Sequence, residues 1–97
     1  GGGVSTARAK RWMSRVVEYG CIFCRRIFGF PSPAEIHHVR EGRRARNDEE
    51  VLPACPSHHR TGPMTIHFHK RALLAACGAE SEQELLDEIT EQLGVPA

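Results

Sequence analysis

The stretch Val51-Leu-Pro-Ala-Cys-Pro-Ser-His-His59 decides how this chain is read. Its first four residues are apolar or small and suit a short buried strand. Cys55 and His58 then place a thiolate and an imidazole about one turn apart. Upstream, Cys21-Ile-Phe-Cys24 offers a second pair at the same spacing. Together Cys21, Cys24, Cys55 and His58 make a tetrahedral shell for a structural zinc. A Cys21–Cys24 disulfide is the competing explanation, but nothing marks the chain as secreted and a lone C-x2-C redox motif has no need of Cys55. Cys77 lies among alanines and leucines and is expected to be a buried apolar residue.

Working outward, 97 residues and 10.8 kDa allow one small core, of a size that a metal or cross-link often supplements. Hydrophobic residues at 40% and charged residues at 26% exclude the composition of a disordered chain. Residues 5–97 are expected to form one domain, with residues 1–4 an added remnant or flexible tail. No apolar run approaches the roughly 18 to 20 residues that cross a bilayer, so no membrane is expected as a partner and the expected location is the cytoplasm.

The local patterns predict an α+β chain. Ser5 caps a helix reaching about Tyr19, with Ala9, Trp12, Val16 and Tyr19 on one face and Gly20 as its stop. After the Cys21–Cys24 pair, Gly29 to Pro33 predict a loop. Glu35 to Val39 and Val51 to Ala54 predict two strands joined by a charged loop from Arg40 to Glu50. Met64 to Cys77 is expected to be helical, and a last helix is framed by Ser81 and Glu84 as a capping box, Leu85, Leu86, Ile89 and Leu93 as its apolar face, and Gly94 as its end.

Charge is unevenly distributed. Residues 1–46 hold ten of the thirteen Lys and Arg against three acids, and residues 47–97 hold three against nine. An asymmetry of this kind predicts that one face meets a polyanion, while the bland alternative is a set of solvated helix faces. Six histidines, His37, His38, His58, His59, His67 and His69, lie within one third of the chain, interleaved with the cysteines, and that clustering points to metal. His37 and His38 alternate sides of a strand, so they are expected to do separate jobs. His69, two residues beyond His67, is expected to face solvent or a phosphate.

Glu35-Ile-His-His-Val39, followed by a basic loop and Val51 to His59 and braced by Cys21 and Cys24, resembles the HNH, or ββα-metal, endonucleases. Ile66-His67 and the helix with Lys70, Arg71 and Ala72 resemble further the phage and prophage nucleases of the recombination-enhancement, RecA-dependent type, over roughly residues 8 to 93. The resemblance implies a ββα-metal core with a structural zinc, flanked by an N-terminal helix and C-terminal helices, in a bacterial or phage-encoded protein. It implies that His38 is the general base, that His37, His59 and His67 hold a catalytic divalent cation, and that DNA and a recombinase filament are partners. Arg40, Arg43, Arg44, Arg46, Arg60, Lys70 and Arg71 would then contact DNA phosphates. Mg²⁺ or Mn²⁺ is the implied catalytic cation, although an imidazole shell also accepts Zn²⁺, Ni²⁺ or Co²⁺. The motif's middle Asn falls on Glu50, a departure that leaves Asn47 or a backbone carbonyl to orient His38. That departure keeps open an inactive zinc-stabilised nucleic-acid-binding module, while a hydrolase of small substrates would need a deep pocket that so short a chain hardly encloses. Aromatic residues are few and expected in the core, so no base-stacking platform and weak sequence preference are expected.

Overall fold

A computed structural model describes residues 6–40 and 47–96. Among these residues the chain forms a small α+β fold of four α-helices and one two-stranded antiparallel sheet. Helix α1, Ala7–Tyr19, buries Ala9, Trp12 and Val16 at helical spacing. Its cap is Thr6 rather than Ser5: the Thr6 hydroxyl accepts the Ala9 N–H at 3.0 Å. Gly20 ends it at φ 87°, and a Cβ there would lie 2.5 Å from the Cβ of Pro31. Gly20→Ala is therefore expected to lower stability by more than about 1 kcal/mol, read from a denaturant midpoint.

The pair Cys21–Cys24 opens a second helix that the sequence pattern did not predict, α2, Ile22–Phe28. Cys21 caps it, its sulfur accepting the Cys24 N–H at 3.4 Å. The spacing of a metal knuckle thus doubles as a helix start, with Ile22 and Phe23 buried behind it. Strand β1, Glu35–His38, pairs with β2, Val51–Ala54, in the register Glu35 to Ala54 and His38 to Val51. All four residues of β2 are buried, and the Val39 N–H extends the ladder to the Glu50 carbonyl at 3.0 Å.

Beyond β2, Ser57–Thr61 is a π-helical turn. It closes with the Gly62 N–H on the Ser57 carbonyl at 3.1 Å, and a Cβ at Gly62 would collide with that carbonyl oxygen. Such wide turns recur at functional sites, and this one carries His58 and His59.

The helix expected from Met64 begins only at Lys70. The Thr65 hydroxyl takes the Phe68 N–H at 3.1 Å and the Thr65 carbonyl takes the His69 N–H at 2.7 Å, so residues 65–69 form a compact turn before α3, Lys70–Cys77. Cys77 is buried, as its neighbours predict. Helix α4, Glu82–Leu93, is capped by Ser81, whose hydroxyl accepts the Glu84 N–H at 3.2 Å. Leu85, Leu86 and Ile89 join Val16, Phe23, Leu52 and Leu73 in one core. Three phenylalanines stay outside it, Phe28, Phe30 and Phe68, exposed by 59%, 57% and 76%. The expectation that the aromatics are absorbed by the core is corrected here: turns and a helix end, which sequence periodicity does not resolve, hold these rings outward. No helix among the described residues is long and apolar enough to cross a membrane.

Candidate metal centre and cleft

Two clusters of metal-binding side chains meet at the π-helical turn. The first joins Cys21 and Cys24 at the start of α2 to Cys55 and His58, with all four donor atoms within 4.8 Å of one another. Cys24 Sγ stands 3.8 Å from Cys55 Sγ, and His58 Nδ1 lies 3.3 Å from Cys55, 3.6 Å from Cys24 and 3.9 Å from Cys21. The cysteines are free, so the competing disulfide is not formed. Burial pushes the Cys21 thiol up to about 12, the cost of three sulfurs packed together in low dielectric. Burial would also raise Cys55, but hydrogen bonds from the His58 N–H and the neighbouring thiols outweigh it and lower that group. Burial keeps His58 neutral by pulling it below the usual histidine range. Buried soft donors arranged in this way could hold a metal ion.

The second cluster is His37, His59 and His67, whose donor nitrogens also lie within 4.8 Å of one another. Their rings stand edge to face, with centroids 5.4, 5.4 and 4.6 Å apart. His37 comes from β1, His59 from the π-helical turn and His67 from the turn before α3. That last turn is strapped to the π-helical segment by the Ile66 N–H on the His58 carbonyl at 2.7 Å and the His67 N–H on the His59 carbonyl at 3.4 Å. The intervening Gly62 and Pro63 therefore do not separate His67 from His59. Burial and the adjacent charges of His59 and His37 push His67 below the ordinary histidine range, toward the neutral ring that a metal needs.

Carboxylates hold these rings. Glu82 Oε2 lies 2.7 Å from His37 Nε2, Glu35 Oε1 2.7 Å from His59 Nδ1, and Asp48 Oδ1 2.8 Å from His38 Nε2. An ionised carboxylate only accepts, so each of these nitrogens donates its N–H, and in the neutral ring the lone pair then lies on the other nitrogen. That tautomer is the one a metal-ligating or basic imidazole requires. Arg60 grips Glu35 at 2.7 and 3.2 Å, and Arg60 with His59 pulls that carboxyl down to about 2. Glu82 is only 4% exposed. Burial alone would raise it, but hydrogen bonds from His37 and Lys70 prevail and lower it.

An open cleft of about 640 Å³ is lined by His37, His38, Arg40, His59, His67, Lys70 and Glu82, with Ile36 and Ile66. His38 thus faces the same cleft as the three-histidine cluster while making its own contact to Asp48. Of the basic residues, Arg40 and Lys70 line the cleft, Arg60 turns to Glu35, and Arg71 is exposed on α3 outside the lining. Arg43, Arg44 and Arg46 lie outside the described residues. His69 is exposed, its Nδ1 taking the Thr65 N–H at 3.2 Å.

Asp48 and Glu82 were not singled out by sequence. Asp48 lies in an all-charged loop, and Glu82 looks like one more acid in the first turn of a helix, so neither carries a periodic signal. Asn47 is not the partner of His38: its amide donates to Glu50 at 3.4 Å, and its side-chain oxygen accepts the Glu49 N–H. A family model described as recombination enhancement, RecA-dependent nuclease matches residues 5–93. No curated protein and no solved structure gives a significant match.

Proposed function

The chain belongs to the family of recombination-enhancement, RecA-dependent nucleases, and from that footing we propose that it is a metal-dependent DNA endonuclease of the HNH type that hydrolyses phosphodiester bonds in the cytoplasm. The observation that carries the reading is the single cleft in which three convergent histidines, a separately held fourth histidine and two cationic side chains meet.

The four-donor cluster fits a structural zinc. A regular tetrahedron with bonds of about 2.3 Å has edges of about 3.8 Å, and the contacts described above span 3.3 to 3.9 Å. The fold around residues 35–61, two short strands followed by a helical turn, is read as a compact variant of the ββα-metal core in which a π turn replaces the α-helix.

His38 is the general base. With Nε2–H directed to Asp48, its Nδ1 lone pair is free to take the proton of the attacking water. Asp48 supplies the orientation that the motif's Asn would give and that Glu50 does not. His37, His59 and His67 hold the divalent cation, Mg²⁺ or Mn²⁺, which when bound neutralises charge on the phosphoryl oxygens and the leaving alkoxide. Arg40 and Lys70 position the phosphate backbone along the cleft, and the recombinase of the family's name would present the strand.

The test is cleavage of supercoiled plasmid and labelled single strands in Mg²⁺ or Mn²⁺, with and without a recombinase filament. Metal-dependent cutting is expected, and intact DNA under every cation even with the filament present refutes the reading. A finer expectation concerns Glu82. As the carboxylate that fixes His37, it sets the ligand's orientation, so Glu82→Gln should weaken Mn²⁺ binding about 10- to 100-fold in a direct titration while leaving one tight zinc per chain. Unchanged Mn²⁺ affinity would remove Glu82 from the site.

A further inference from the structure

Among the described residues Phe68 is the most exposed large apolar side chain, at 76%, yet its backbone is firmly held. Its own N–H is held by Thr65 Oγ1 at 3.1 Å, and Thr65 is buried. Ile66, two residues before it, is buried as well and bonds back to His58. The following residue, His69, is tied to Thr65 through both its N–H and its ring. In the sequence Thr65-Ile-His-Phe-His69 the backbone is therefore fixed at every step, with two side chains turned into the core, one into the cleft and Phe68 out to solvent.

A single exposed apolar residue ordinarily needs no explanation. This one stands beside a functional group: the Phe68 ring centroid is 6.3 Å from that of His67, whose donor nitrogen belongs to the three-histidine cluster. Two residues on, Lys70 lines the same cleft. A nucleotide whose phosphate sat at that cluster would extend its sugar and base toward the open side of the cleft, where a ring beside His67 would meet them. Phe68 does not line the cleft itself, which leaves its face open for an aromatic partner above the phosphate. A ring carried on a fixed backbone costs less to order when a flat ligand settles on it than one on a free loop, and the bases of nucleic acid all present such a face.

From this we infer that Phe68 is the base-stacking residue of the cleft, seating an unpaired nucleobase next to the phosphate that lies at the three-histidine cluster, and so favouring unpaired DNA over duplex. A base stacked within a duplex has no free face to offer, which is why the same contact discriminates. The inference rests on DNA being the substrate of the cleft and supplies the strand preference and a residue that sets it.

The experiment is a binding cycle with the full chain, by fluorescence anisotropy at one fixed salt concentration. The probes are a short oligothymidine and an abasic sugar-phosphate oligomer of equal length, which match in charge and differ only in bases. Wild type should prefer oligothymidine, Phe68→Leu should lose about fivefold to a hundredfold on oligothymidine alone, and Phe68→Trp should keep the preference. Phe30→Leu removes another exposed ring, which lies by Phe28 and outside the cleft lining, and should change neither affinity. Equal affinities of wild type for the two probes, an equal loss on both with Phe68→Leu, or the same loss with Phe30→Leu would each overturn the inference. Cleavage of the oligothymidine in Mn²⁺ is scored in parallel. Absent cutting with an intact base preference counts against the nuclease reading and leaves the stacking contact standing, whereas cutting without the preference sinks the stacking contact alone.

Discussion

His38→Ala is expected to abolish metal-dependent DNA cutting, with a fall of about 100- to 10,000-fold, while zinc content, Mn²⁺ binding and DNA affinity stay near those of wild type. The reason lies in the division of labour between two adjacent residues. His37 points to His59 and His67, where a cation can be held, and His38 points to Asp48, outside that group of three. Removing His38 therefore takes away a proton acceptor and leaves the cation donors in place. Asp48→Ala should reduce cutting by less, because the imidazole and its lone pair remain and only their orientation is lost. The measurement is single-turnover cleavage of labelled DNA beside Mn²⁺ titrations of each variant. Cutting that survives His38→Ala would move the base elsewhere, and a simultaneous loss of Mn²⁺ binding would make His38 a ligand instead.

What the sequence made legible follows the kind of pattern each feature leaves. Helix α4 was readable because Ser81, its apolar face and Gly94 each leave a local signal, and the strands were readable from short apolar or alternating runs between breakers. The four-donor cysteine and histidine cluster was readable as spacing, since C-x2-C and C-x2-H survive any change in the elements between them, whereas the grouping of His37, His59 and His67 came from the family resemblance. Helix α2 was missed because its seven residues begin at the Cys21–Cys24 pair, where the cysteine spacing dominated the reading. Residues 64–69 were read as helix because apolar spacing continued into α3, whereas the Thr65 hydroxyl bonds the backbone locally and delays the start to Lys70. Glu82 and Asp48 were invisible for a different reason. Their significance is tertiary, created when α4 and the loop before β2 approach β1.

The charge asymmetry has a similar lesson. Ten cations in the first half against nine acids in the second suggested a polyanion-binding face. Part of that charge is matched within the fold: Arg8 pairs with Glu49, and Arg26 with Glu88 at 2.6 Å and Glu84 at 3.3 Å. The basic half and the acidic half thus meet each other through α1, α2 and α4. The exposed Arg8–Glu49 pair contributes little stability, and both it and the half-buried Arg26 pairs subtract cations from the surface available to DNA. Arg40, at the cleft itself, then matters more than the overall count, while Lys70 lines the same cleft with Glu82 at 3.1 Å.

Stripping the ion from the Cys21, Cys24, Cys55 and His58 cluster is expected to unfold the domain, and Cys55→Ser should do the same. A bound structural zinc is worth about 10–16 kcal/mol of apparent binding free energy, comparable to or larger than the roughly 5–15 kcal/mol by which a whole domain is stable. The cluster joins the start of α2 to the end of β2 and the π-helical turn, so its loss releases three connections at once. It also leaves three buried sulfurs without a cation, the arrangement in which burial drives Cys21 to about 12. The two metal centres should separate in a chelator titration. Imidazoles hold a divalent cation less firmly than a set rich in thiolates, so a weak chelator should remove the cation of His37, His59 and His67 first and stop cutting while the circular dichroism spectrum stays native. A strong chelator should then release one zinc per chain, and the helical signal and the cooperative thermal transition should disappear together. A chain that keeps its cooperative transition after the tightly held metal is gone would show that the apolar core around Phe23, Leu52 and Leu85 holds the fold alone, and that the four-donor cluster is not its brace.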